Sequence, residues 1–190
     1  MSGAFAWGLL AGSSLLVGGA IALRFRIPEK LLGLIMAFGA GVLISAVAYE
    51  LVAEGYSKSG GSGHLALGTA AGALTFYAGD AVIAAVFLSN LPEAIAATTG
   101  LRADGWSGRK IMLLWVLVAI VSGLASLFGY AAFDSAGAGA LAFVLGFAGG
   151  AILTMLADTM MPEAYEHGGK LVGLLTTLGF GLAFALTMLE

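Results

Sequence analysis

Long apolar runs leave this chain few ways to fold. Five runs approach the roughly 20 residues that a helix needs to cross a bilayer, at residues 5–23, 31–52, 111–132, 140–161 and 171–189. A sixth run, at residues 65–101, is longer. Backbone polar groups in hydrocarbon must bond within their own segment, so such runs form helices. The sequence therefore predicts an all-α integral membrane protein, a polytopic helical bundle of about six to seven spans.

The composition agrees with this class and excludes others. Hydrophobic residues make up 60% of the 190 residues and charged residues only 10%, whereas soluble domains carry about a quarter charged residues. The absence of cysteine excludes disulfides and thiolate metal ligands. No enzyme motif can be assembled around the two histidines, and no basic patch predicts binding to nucleic acid. The lipid bilayer is the partner that the composition predicts.

Positive charge predicts the orientation of the first helix. No positive residue precedes the first apolar run, and Arg24, Arg26 and Lys30 follow it. This arrangement is typical of a retained helix, not a cleaved signal peptide, with its start outside and its end in the cytoplasm. We expect a bacterial inner (plasma) membrane protein.

The same rule decides how residues 65–101 cross. They are too many for one ordinary span and too few for a comfortable hairpin. One net crossing keeps Arg102, Arg109 and Lys110 in the cytoplasm, whereas a hairpin would move all three outside. We therefore predict one net crossing, which places both termini outside.

Two parts of the sequence resemble each other. A shift of 109 residues places Glu54 on Glu163 and Tyr56 on Tyr165, with mostly apolar residues matched elsewhere. The alternative is a chance alignment of Gly- and Ala-rich helices. Three-helix units separated by an odd number of helices have inverted topology, as in many secondary transporters. The single transmembrane domain, residues 1–190, is predicted to contain a first repeat, a central Pro-broken helix and a second repeat, at residues 1–80, 81–101 and 111–190.

Polar groups inside the central run carry the candidate chemistry. Asn90 and Glu93 are three residues apart and would share a helix face, and Pro92 cannot donate to the carbonyl of Leu88. Oxygen ligands on a broken helix suit a divalent cation passing through. The alternative is a proline kink whose Asn and Glu bond to a neighbouring helix. A mid-membrane acid costs roughly 2.5–3.5 kcal/mol, which favours a metal site.

Three more acids are candidate metal or pathway ligands. Asp158 precedes a second Pro-Glu element, Pro162-Glu163, whose carboxylate we interpret as a boundary or exit residue. Glu50 either recruits cations at an entrance or marks the end of a helix. Asp80 is either an entrance carboxylate or a cap at a break in the long run.

Three segments resemble the ZIP family of divalent-metal transporters, most closely its bacterial branch. They are Asn90-Leu91-Pro92-Glu93-Ala94, Met161-Pro162-Glu163-Ala164 and Leu175-Thr176-Thr177-Leu178-Gly179-Phe180. The resemblance implies uptake of a divalent transition metal, Zn²⁺ first, toward the cytoplasm by alternating access. It implies Asn90 and Glu93 as metal ligands, the metal as transported substrate and no cofactor, and it leaves a homodimer open.

One element of the family has no counterpart. The family's first Pro-Glu helix is missing between Asp80 and Val86. Either an internal deletion fuses the helices on each side, or the sequence omits a segment. The alternative function is therefore a non-transporting membrane scaffold or metal-sensing subunit that keeps the fold with an incomplete site.

Overall fold

The computed structural model describes residues 2–60, 63–78, 87–133 and 136–187, and all regular structure in these ranges is helical. The α-helices of these ranges are α1 Ser2–Arg24, α2 Glu29–Ala46, α3 Glu54–Ser59, α4 His64–Ala78, α5 Phe87–Ala103, α6 Gly108–Phe133, α7 Ala138–Met155, α8 Met161–Gly168 and α9 Val172–Thr187. The predicted all-α class is confirmed for the described residues.

Two helices continue through π-helical turns that the sequence did not predict. Val47–Ala53 joins α2 to α3, and Leu156–Met160 joins α7 to α8. In the second turn, Pro162 has no N–H to offer the carbonyl of Asp158, which removes one α-helical hydrogen bond there. A 3-10 turn at Gly169–Leu171 also joins α8 to α9. With these three joins, the described residues form six continuous helical stretches.

Three helices in the described ranges are long and apolar enough to cross a membrane: Glu29–Lys58, Gly108–Ala132 and Ala138–Ala185. This is fewer than the six to seven predicted spans. Within the described ranges, α4 and α5 have 15 and 17 residues, and Gly8–Arg24 is a shorter apolar helix. The 48-residue stretch Ala138–Ala185 also contains a reversal of the chain.

That reversal lies at Gly169, whose φ of +63° favours glycine. Before it, Gly39 lies against Met160 and Gly33 lies against Ala164, so α8 runs antiparallel to α2. After it, α9 returns along α2 in the direction of α2 itself. The helix α2 is therefore covered on two sides by one continuous segment of chain.

Two helix pairs pack with their backbones in direct contact. Gly41 of α2 lies against the Thr176 carbonyl of α9, and Gly150 of α7 lies against the Thr69 carbonyl of α4. A Cβ atom at either glycine would collide with that carbonyl. Small residues permit this spacing, which is common between helices in lipid. The two pairs are connected by contacts of α7 with α3 and with the turn Val47–Ala53, and α8 packs on α2. The helices α2, α3, α4, α7, α8 and α9 therefore form one packing group.

The helices α1, α5 and α6 form a second group, in which α5 and α6 both pack on α1. The Asn90 amide donates to the Ala11 carbonyl over 3.4 Å, and Arg102 donates to the carbonyls of Ala22 and Leu23 at 3.0 and 2.9 Å. The residue numbers of the partners increase together along the two helices, so α1 and α5 run in the same direction. Arg102 satisfies carbonyls that the end of α1 leaves unpaired.

A buried hydrogen bond joins α5 to α6. Trp115 Nε1 donates to Thr98 Oγ1 over 2.8 Å, and Thr98 is completely buried. Gly19 of α1 lies against the Trp115 ring, where a larger residue would leave no room for it. Among the described helices, the main contact between the two groups is the one between α2 and α5.

Candidate metal site

An open pocket of about 310 Å³ lies where α2 and α5 meet the continuous segment α7–α8. Its polar and sulfur-containing lining consists of two carboxylates, a hydroxyl and three thioethers, from Glu93, Glu163, Thr159, Met36, Met155 and Met160. Small residues of α5 complete the lining. Among the described residues that line the pocket, none is basic. Both carboxylates are half-buried, and no basic side chain lies beside them in the described wall.

Each of the two carboxylates directly follows a proline. Glu93 follows Pro92 inside α5, and Glu163 follows Pro162 in the first turn of α8. The two helices approach α2 at one point, because a Cβ atom at Gly39 would lie 2.7 Å from Pro92 and 3.1 Å from the methyl group of Met160. Because Gly39 has no side chain, the two helices can both pack closely against α2 at this point.

Asn90 faces a different neighbour from Glu93. Its amide donates to the Ala11 carbonyl of α1, and Asn90 is not among the residues that line the pocket. Residues three apart on a helix point about 60° from each other. Since α5 lies between α1 and α2, that angle is enough for Asn90 and Glu93 to face different helices. The bond to Ala11 corresponds to the kink-type alternative that the sequence left open for Asn90.

The other predicted ligands lie elsewhere. Glu50 is exposed in the π-helical turn Val47–Ala53, and Asp158 is exposed in the turn Leu156–Met160. Neither lines the pocket. Asp80 lies outside the described residues. Of the five predicted metal residues, Glu93 is thus the one that the structure places in this pocket.

The carboxylates and thioethers determine what the pocket can bind. Carboxylate oxygens bind divalent cations, and thioethers add soft donors. In the described part of the chain, no cluster of three or more His, Asp or Glu side chains could hold a metal ion. Glu93 and Glu163 therefore offer two strong ligands, and a bound ion would need further donors.

Three lining residues lie outside the set of metal ligands that the sequence predicts. They are Met155, Met160 and Glu163, the last of which the sequence favours as a boundary or exit residue. The repeated Pro-Glu dipeptide was the available signal, because it marks the same helix break twice.

No family model matches the chain, and a search of curated proteins finds no similar protein.

Proposed function

We propose that this protein is an integral membrane transporter that moves a divalent transition metal, Zn²⁺ first, toward the cytoplasm, as the resemblance to the ZIP family implies. The observation that carries the proposal is that Glu93 and Glu163 line one pocket with no basic residue among its described lining. Placing a carboxylate inside a membrane costs free energy, so such residues are usually functional. A passing cation would supply the positive charge that the pocket lining lacks.

The position of positive charge supports the proposed orientation. Arg102 bonds to the last carbonyls of α1, beside Arg24, and Gly108 lies near the Leu23 side chain. The basic residues that begin α6 therefore lie at the same end of the bundle as Arg24. This arrangement favours one net crossing by residues 65–101, with that end in the cytoplasm of a bacterial cell and both termini outside.

Corresponding features support an inverted repeat. The π-helical turns begin at Val47 and Leu156, which are related by the same 109-residue shift as Glu54 and Glu163. Gly41 and Gly150 are related by that shift too, and each lies against the carbonyl of a threonine on another helix. A transporter built from such repeats has its site between them.

The packing groups suggest which parts would move. Close backbone contacts join α2 to α9 and α4 to α7, so they cross between the two proposed repeats. A movement of one repeat against the other would break them. A movement of α1, α5 and α6 against the remaining helices would preserve them. Glu93 belongs to the first group and Glu163 to the second, so this movement would open and close the pocket.

A specific observation favours the alternative function. The described residues lack a cluster of three His, Asp or Glu side chains. A site with two strong ligands is sufficient for sensing or weak binding of a metal. The alternative is therefore a membrane scaffold or metal-sensing subunit that does not transport.

Uptake of radioactive Zn²⁺ into proteoliposomes tests the proposal. Wild-type protein should accumulate zinc, and Glu93→Gln and Glu163→Gln should each reduce the initial rate by about tenfold or more, a loss of roughly 1.4 kcal/mol or more. Glu54→Gln is the matched control, because Glu54 pairs with Lys58 at 3.2 Å on α3 and does not line the pocket. Equal uptake by all four proteins would refute the site. Zinc binding without uptake by the wild type would support the sensing alternative.

A further inference from the structure

An apolar groove of about 410 Å³ lies on the other side of the contact between α2 and α5. Its lining comes from α2, α5 and α9, with Leu31, Leu34, Ile35 and Phe38 facing Leu91, Pro92, Ile95 and Leu175. The residues of α5 that line it are separate from those that line the metal pocket. The groove therefore does not belong to the proposed metal site.

One end of this groove opens among basic residues. Leu31, which is 48% exposed, lies at that end and directly follows Lys30. Gly33 packs against Gly168, so the turn that carries Lys170 reaches the same end.

The other charged residues nearby leave that end positive. Arg24 and Arg26 come just before α2 in the chain. Glu29 and Glu166 are the acidic residues close by in the chain, and both are exposed. Along the chain, four basic residues thus accompany two acidic ones near this end of the groove.

We propose that this groove holds an acyl chain of an anionic phospholipid, whose headgroup lies between Lys30 and Lys170. A wholly apolar groove offers nothing to a polar ligand, and an acyl chain is the apolar group that a bilayer supplies. Basic residues next to a helix end at the cytoplasmic face bind anionic headgroups.

The lining residues argue against a helix as the occupant. Helices that dock closely in lipid meet through small residues, because these let their backbones approach. The groove walls carry leucine, isoleucine, phenylalanine and proline, with no glycine, alanine or serine among the described lining residues. A flexible acyl chain can adapt its shape to these bulky side chains, whereas a helix from a second copy of the protein could not approach them closely.

The bound lipid would bridge the two packing groups, because α5 belongs to one group and α2 and α9 belong to the other. An acyl chain in the groove would contact both and stabilise their contact. This inference rests on the proposed orientation in the membrane and not on metal transport, since it needs only the groove, the basic residues at its cytoplasmic end and a bilayer.

Native mass spectrometry of the purified full-length protein with added phosphatidylglycerol or phosphatidylcholine tests the headgroup. Wild-type protein should retain phosphatidylglycerol about tenfold better than phosphatidylcholine. The double substitution K30Q/K170Q should abolish that preference. The control R109Q/K110Q removes the same charge at the same end of the bundle, on α6, and should keep the preference. Equal retention of both lipids by the wild type, or equal loss in both double variants, would overturn the proposal.

Filling the groove tests the acyl chain. Leu34→Trp should reduce retention of phosphatidylglycerol by about tenfold, whereas Leu113→Trp, on a side chain of α6 that is 68% exposed, should not. If Leu34→Trp fails to fold, Leu175→Trp fills the groove from the opposite wall. Unchanged lipid retention in the folded groove variant would refute the proposal. So would a wild-type dimer that the same substitution dissociates, since a second copy would then be the occupant.

Discussion

Glu93 and Glu163, each directly after a proline, line one pocket from two different helices. One lies in α5 and the other in α8, and these helices belong to separate packing groups. The two carboxylates are far apart in the sequence, so only the fold brings them to the same cavity. A cation that enters this pocket would meet carboxylates from both packing groups in its wall.

If Glu93 and Glu163 bind the same ion, their effects on zinc affinity should not add. We expect Glu93→Gln and Glu163→Gln each to weaken binding by about tenfold or more, and the double variant to be only slightly worse than either. Removal of one carboxylate already leaves the ion without a complete ligand set. Isothermal titration of the purified protein measures the three affinities. Fully additive losses would show that the residues bind zinc separately.

The backbone contact between α2 and α9 should make Gly179 intolerant of a methyl group. A Cβ atom at Gly179 meets the Phe38 carbonyl, so Gly179→Ala should destabilise the protein by about 1–3 kcal/mol. Gly181, two residues further along the same helix, has no such neighbour within 4 Å. Gly181→Ala should therefore be neutral or stabilising by up to about 1 kcal/mol. Unfolding in detergent compares the pair, and equal effects would contradict the contact.

The buried bond between Trp115 and Thr98 should stabilise the α1, α5 and α6 group. Thr98→Val keeps the shape of the side chain but leaves the indole N–H without its partner, which should cost about 1–3 kcal/mol. Thr177→Val is the control, since Thr177 bonds to a carbonyl of its own helix at an exposed position. The midpoint of thermal unfolding measures both. A larger loss for Thr177→Val would show that the buried bond contributes little.

The hydrogen bonds of Arg102 should stabilise the contact between the end of α5 and the end of α1. Arg102→Met keeps much of the side-chain length and removes both bonds to the Ala22 and Leu23 carbonyls. Because Arg102 is exposed, we expect a loss of only about 1 kcal/mol. Hydrogen exchange should quicken in the last turn of α1. Arg109→Met, also exposed, should leave that turn unchanged, and faster exchange in both variants would argue for a general effect of charge.

Local chemistry made several features predictable. Apolar runs near 20 residues predicted helices, because hydrocarbon leaves no other partner for the backbone. Proline suits the start of a helix, and Pro28 lies directly before Glu29, where α2 begins. The proline before each carboxylate marked where a helix loses a hydrogen bond, and the carboxylate that follows each proline lines the pocket. These signals act within a few residues and need no knowledge of the neighbours.

Other features depend on neighbours that the sequence does not name. Asn90 and Glu93 have the spacing of a shared face, yet α1 takes the amide while the carboxylate lines the pocket beside α2. The π-helical turn Val47–Ala53 contains no proline from which it could have been predicted. Glu163 and Glu93 line one pocket because α5 and α8 both pack on α2.

The sequence by itself determined that this chain is helical and apolar, where its prolines interrupt helices, and which acids stand beside them. The tertiary structure alone decided which of those acids line the same pocket. Helix formation depends on bonds between residues four apart, so it can be recognised locally. Glu93 and Glu163 line one pocket because α5 and α8 pack on the same helix, α2, and such packing between distant segments depends on small residues whose role appears only when the helices are packed.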